Sequence, residues 1–276
     1  MNSESHKTMS QEKHNYATMS YQSSDVETGE QNYYQQQATA VAEPKVLTQC
    51  DITERHVFIG KVFRIVLLQL LVTCGFIALF LFDTGVRDYF YAHPGLAWIA
   101  IIFSFVFLLM LVCCRQVAMS YPANYLILLG FTVCEGFLLG VISSVYDTSA
   151  VLLAGLITLA VTLTLIVFAM QTSYDFTGMG GYALCFLVVF VLAGFVRIFI
   201  CKPGTCNTFE VVYAAIGALL FSFLMVYHTQ LIVGGDSQYQ FHNNDYVIAA
   251  LSLYLDIINL FTFILRLVGG GGGQSR

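Results

Sequence analysis

The 276-residue chain is 57% hydrophobic and only 11% charged, with 12 basic and 17 acidic residues for a formal net charge of −5. A soluble globular domain carries roughly a quarter charged residues, so these proportions exclude that class and assign the chain to the lipid bilayer. No nucleic-acid partner is expected.

The charge is unevenly spread: eight of the acidic residues and four of the basic ones precede Val57. Residues 1–56 are rich in Ser, Gln, Tyr and Glu and nearly lack Leu, Ile and Phe. Such a segment cannot bury enough apolar surface to offset chain entropy, and it reads as a disordered polar tail. No apolar stretch follows the first methionine, so no secretory signal is expected, and the first span serves as the targeting sequence.

A hydrocarbon core of ~30 Å needs ~20 apolar residues per helix. Seven stretches fit: Val62–Phe82, Gly95–Cys114, Tyr125–Tyr146, Ala150–Met170, Tyr182–Ile200, Val211–Val233 and Val247–Val268. The loops are short, and Asp147–Ser149 leaves room only for a tight turn between antiparallel helices. The fold expected is all-α and integral to the membrane: a seven-helix bundle over residues 57–269, followed by a Gly-rich tail at 270–276.

Lys45, Arg55, Lys61 and Arg64 flank the first span, whereas the first loop carries only Arg87. The positive-inside rule therefore places the N-terminus in the cytosol. Arg197, Lys202, Arg266 and Arg276 then fall on the opposite side and do not reinforce that orientation. With seven spans the C-terminus is lumenal or external, whereas a re-entrant last helix would return it to the cytosol. Asp256 near the centre of that helix keeps the second topology open, because an intramembrane carboxylate costs at least ~2.5 kcal/mol on insertion scales.

Cys74, Cys134 and Cys185 lie within apolar runs, where a thiol packs as a small hydrophobe. Cys113 and Cys114 end the second span at a position open to palmitoylation. Cys201 and Cys206, in CKPGTC on the expected lumenal side, have the spacing for a small disulfide loop. Gly136 with Gly140, and Thr158 with Thr162, read as helix-packing positions.

Three ionisable residues sit inside spans: Glu135 in the third, His228 in the sixth and Asp256 in the seventh. Buried charge is costly, so each is a candidate for gating or an ion pathway; the competing reading is a hydrogen bond that merely bridges helices. Ser252, Asp256, Asn259 and Arg266 follow at offsets of four, three and seven residues, which puts them in one arc of the last helix. A polar face of this kind must point into protein or water, so the seventh helix is expected at the centre. A neutral imidazole can donate and accept, so His228 can bridge to Asp256; it can equally stand at the membrane interface in water. Walker loops, dinucleotide fingerprints, zinc-spaced Cys/His sets and Ser/His/Asp arrangements are not found, and an enzyme is not expected.

The segment DYVIAALSLYLDIINLF (Asp245–Phe261) resembles the closing helix of the transmembrane BAX inhibitor motif family in its Lifeguard subgroup, almost residue for residue. QTSYDFT (Gln171–Thr177), EVVYAAIGALLF (Glu210–Phe221) and FIGKV (Phe58–Val62) extend the resemblance across the membrane part, His56 to Gly269. It implies a seven-helix protein of internal membranes, endoplasmic reticulum or Golgi foremost, that leaks Ca²⁺ and restrains cell death. It also implies a carboxylate pair between the sixth and seventh helices whose protonation controls opening. Asp256 matches the seventh-helix member, and Glu135 resembles an acidic residue in the third helix of some relatives. Where relatives read Asp-Thr-Gln, this chain reads His228-Thr-Gln230. Relatives also carry a basic residue at the place of Gly60, and a basic pair at Ala118 and Met119. No resident cofactor is expected; Ca²⁺ would be a transient, permeating ion, and the implied partners are the bilayer and cell-death regulatory proteins. The alternative is a non-conducting relative acting through membrane or cytosolic partners.

Overall fold

Among the described residues seven long apolar helices are present, each long and apolar enough to cross a membrane: α1 (Ile52–Phe82), α2 (Gly95–Cys113), α3 (Ala123–Ser143), α4 (Thr148–Gln171), α5 (Gly180–Ile200), α6 (Asn207–Val233) and α7 (Tyr246–Gly269). The computed structural model describes residues 52–200, 207–234, 241–242 and 244–270. Most of the polar tail, the C-terminal Gly-rich residues from 271 onward, and Cys201 with Cys206 lie outside the described residues.

The helix limits match the apolar stretches except at the start. α1 begins at Ile52, ten residues before Val62, and takes residues 52–56 out of the segment read as tail. Hydropathy finds only the apolar part of a helix, whereas residues 52–61 continue the same backbone in a mixed sequence, polar at Thr53, Glu54, Arg55, His56 and Lys61, with Glu54 in the first turn favoured by the helix dipole. The loop after α1 also holds a short helix, Thr84–Ala92, started by Asp83, whose carboxylate accepts the Val86 N–H at 3.1 Å.

α7 is the centre. Of its apolar window 72% is buried, against 11–39% for the other six helices. Its buried residues, from Val247 through Tyr254 to Leu265, run round the whole helix rather than along one stripe, the pattern of a helix enclosed by protein. At 24 residues it spans about 36 Å in one continuous piece, so the re-entrant topology is set aside. α6, α4 and α1 line it closely and α3 touches it; α2 instead packs on α3, and α5 leans loosely on α6.

The outer faces carry Leu67, Leu71, Ile102, Phe186 and Leu192, all exposed, as lipid-facing surfaces require. Cys74 and Cys185 are exposed as well, and Cys134 is half-buried, so the first two point out of the bundle and take no part in its interior. Gly136 and Gly140 do what their spacing suggests. A Cβ at Gly136 would stand 2.9 Å from the Phe76 ring, and one at Gly140 would stand 2.6 Å from the Phe80 ring, so the two glycines are the sockets that let α1 and α3 approach.

Candidate functional site between the sixth and seventh helices

His228, Thr229 and Gln230 are consecutive on α6 and therefore project about 100° apart. Each finds a different partner. His228 reaches α7, where its Nδ1 is 2.6 Å from the Asp256 carboxylate. Thr229 turns back and donates to the Met225 carbonyl at 2.7 Å. Gln230, buried, reaches the loop between α4 and α5, accepting from the Phe176 N–H at 2.8 Å and donating to the Tyr174 carbonyl at 2.9 Å.

That loop is the QTSYDFT segment, and it is tightened by its own Asx turn: Asp175 accepts from both the N–H and the hydroxyl of Thr177, at 2.9 and 2.6 Å. One short stretch of α6 thus ties together the central helix and the α4–α5 connection. The Gln230 strap was not read from the sequence. The only hint was that QTSYDFT and the His-Thr-Gln triplet both belong to the motif set, and their 50-odd-residue separation hid the pairing.

Asp256 is 2% exposed, and the His228 side chain is 21% exposed, so the pair has one buried end and one reachable by water. The Tyr227 ring stands edge-on to the imidazole, with centroids 5.1 Å apart. At 2.6 Å a proton must lie between nitrogen and oxygen, because two facing lone pairs would repel. Both the imidazolium and the neutral ring protonated at Nδ1 can supply it.

The other residues singled out from the sequence do not converge on this pair. Glu135 accepts a short hydrogen bond from the Ser104 hydroxyl, which ties α3 to α2; it makes none with His228 or Asp256. Ser252 and Asn259 donate to carbonyls one turn back on their own helix, Ile248 at 3.0 Å and Leu255 at 2.8 Å. The nearest acceptor for a short polar side chain in an apolar helix is its own backbone, so these two satisfy themselves rather than buttress Asp256. The Arg266 guanidinium lies 5.6 Å over the Phe263 ring.

A second buried polar chain passes through α7 two residues before Asp256. The single hydroxyl proton of Thr73 goes to the Gln69 carbonyl at 2.9 Å, so in the 2.8 Å contact between Thr73 and Tyr254 the tyrosine donates. Gln69 in turn donates to Thr132 of α3 at 3.0 Å. Polar Gln69 and Thr73, one turn apart in an apolar run, were the signal for it.

Similarity to known proteins follows the same boundaries. The model of the family described as inhibitor of apoptosis-promoting Bax1 matches residues 55–273. Human protein lifeguard 3 is 35% identical over 219 residues, covering 79% of this chain and 70% of the relative. Mouse protein lifeguard 4 is 34% identical over 212 residues, covering 77% and 84%. The chain belongs to the Lifeguard branch of the BAX inhibitor motif family. The mouse lifeguard 3 match, 35% identical with 79% and 71% covered, repeats the pattern.

As a Lifeguard protein it is defined by its membrane helices, since the matched region begins within α1. Among the described residues no group of three or more His, Cys, Asp or Glu is placed to hold a metal ion. The His228–Asp256 pair offers one nitrogen and one carboxylate, whereas Ca²⁺ takes 6–8 oxygens. The geometry therefore suits a clasp between helices better than a resident metal site.

Proposed function

We propose that this Lifeguard protein regulates cell death from an internal membrane by modulating Ca²⁺ leak, with His228 and Asp256 as the clasp that holds α6 against α7. The single observation that carries this reading is the 2.6 Å bond across the two helices. The clasp sits on the central helix, so its release frees the element on which four others pack. The excess of basic residues before and within early α1 supports a cytosolic N-terminus.

The histidine changes the chemistry of the clasp. Two carboxylates hold together only while they share a proton; once it leaves they repel, and the seam opens with two negative charges facing a cation. His228 keeps its bond to ionised Asp256 whether or not the second ring nitrogen is protonated, so the pair carries zero or one negative charge and has no repulsive state at neutral pH. The wild-type clasp is accordingly the tighter one, and its leak the smaller. This also favours the second reading, in which the pair is a permanent fastening and the protein acts through membrane or cytosolic partners without conducting.

Purified protein in vesicles loaded with a Ca²⁺ indicator separates the two. His228→Asp introduces the repulsive state and is expected to raise Ca²⁺ leak at neutral pH, with the increase suppressed at acid pH where the shared proton returns. Equal leak from wild type and His228→Asp across the pH range removes the pair as a gate, and no leak from either leaves the non-conducting reading.

A further inference from the structure

The α5–α6 seam carries a feature that the clasp does not use. A cavity of about 440 Å³ lies between α5, α6 and α7, walled by the rings of Phe190, Phe221 and Phe263, with Arg197, Tyr213 and Arg266 around its polar part. Arg197 is paired with Glu210 at 3.0 Å. Arg266 makes no ion pair among the described residues, and its only cation contact is the face of Phe263. Among the described residues the lining holds two guanidinium groups and no carboxylate; with Glu210 pairing Arg197 from outside it, an excess of one positive charge stands beside the aromatic walls.

A basic residue in the last turn of a helix is ordinarily explained by the helix dipole, which asks only that the charge sit near the terminal carbonyls. Arg266 instead lies along the Phe263 ring inside the cleft. The cavity also reaches the bundle surface: Val191, part of its lining, is 58% exposed on the helix that packs most loosely. A ligand with a charged head and an apolar body matches both halves.

We infer that this cleft binds one anionic glycerophospholipid from the bilayer, its phosphate held by Arg266 and Arg197 and an acyl chain seated between Phe190, Phe221 and Phe263. Lipid rather than free phosphate is the occupant because the walls are apolar and Val191 in the lining is exposed on the outside of the bundle, so an acyl chain can enter from the side and bury its apolar surface there. A bound chain would fill the loose seam between α5 and the rest of the bundle.

The test is native mass spectrometry of the full-length protein, equilibrated in detergent with phosphatidylserine and phosphatidylcholine of identical acyl chains. Wild type is expected to retain the anionic lipid about fivefold over the zwitterionic one, the preference of roughly one desolvated cation. Arg266→Gln should abolish the preference and Arg266→Lys should keep part of it. Arg64→Gln, a cation on α1 remote from the cleft, should leave it whole. Val191→Trp, which fills the cleft without changing charge, should lower retention of both lipids. Glycerophosphate, lacking acyl chains, should not compete. Equal retention of the two lipids by wild type, an intact preference in Arg266→Gln, or full competition by glycerophosphate would each overturn the lipid site.

Discussion

The two flanks of α7 are packed to very different extents. On one side α1 and α3 interlock, with Phe76 and Phe80 set against Gly136 and Gly140, and a hydrogen-bonded chain from Thr132 through Gln69 and Thr73 ends on Tyr254. On the other side α5 meets α6 mainly through rings, the stacked Phe190–Tyr213 pair among them, and leaves a cleft lined by arginines. A membrane protein gains nothing from the hydrophobic effect between its helices in lipid, so small residues and hydrogen bonds set the strength of a seam. Both seams have them, since Gly194 and Gly217 seat Tyr213 and Phe190 and Tyr213 donates to the Phe190 carbonyl at 3.2 Å, but α1 and α3 interlock along their length and form the rigid wall, whereas α5 touches α6 over a short stretch and is the yielding side. The His228–Asp256 bond lies between them and joins α6 to the central helix.

The largest expected effect is at the clasp. His228→Leu leaves Asp256 buried without its partner and should cost about 3 kcal/mol in detergent-induced unfolding at neutral pH, the scale for breaking a buried pair from one side. Within the wall, Gly140→Leu drives a side chain into Phe80 and the Phe76 carbonyl and should cost about 2 kcal/mol. Gly155→Leu on α4, where nothing lies within 4 Å of the added Cβ, should be nearly neutral by the same measurement. A smaller loss, about 0.6 kcal/mol, is expected for Tyr254→Phe, which removes one interhelical hydrogen bond. On the yielding side, Val191→Ala should change stability by less than about 0.5 kcal/mol. Equal penalties for Gly140→Leu and Val191→Ala would erase the contrast between the seams.

Much of the frame was legible because the bilayer imposes it. Seven apolar stretches became seven helices with ends shifted by a few residues, apart from the start of α1, and the polar arc of α7 correctly marked a helix that cannot face lipid. The pairing of His228 with Asp256 could be expected, since two intramembrane polar groups on successive spans have few other partners. The rest depended on tertiary neighbours. Angular position places Asn259 and Arg266 on one arc with Asp256, but not which helix stands opposite; at their depth the loosely held α5 leaves a cleft. Glu135 was read with the pair because it is charged and lies inside a span, but its hydrogen bond goes to Ser104 on α2 instead. The polar start of α1 was missed because hydropathy records partition into lipid, not helix formation.

The claim that the clasp couples α6 to α7 is tested most directly by a double-mutant cycle on unfolding free energy in detergent, using His228→Gln, Asp256→Asn and the double variant. Residues in direct contact couple by about 0.5–3 kcal/mol, and a charge-assisted bond to a carboxylate that is 2% exposed should fall in the upper half of that range. Additivity of the two single changes, within about 0.5 kcal/mol, would mean that the two side chains lie close together without holding the helices, and the clasp would have to be abandoned.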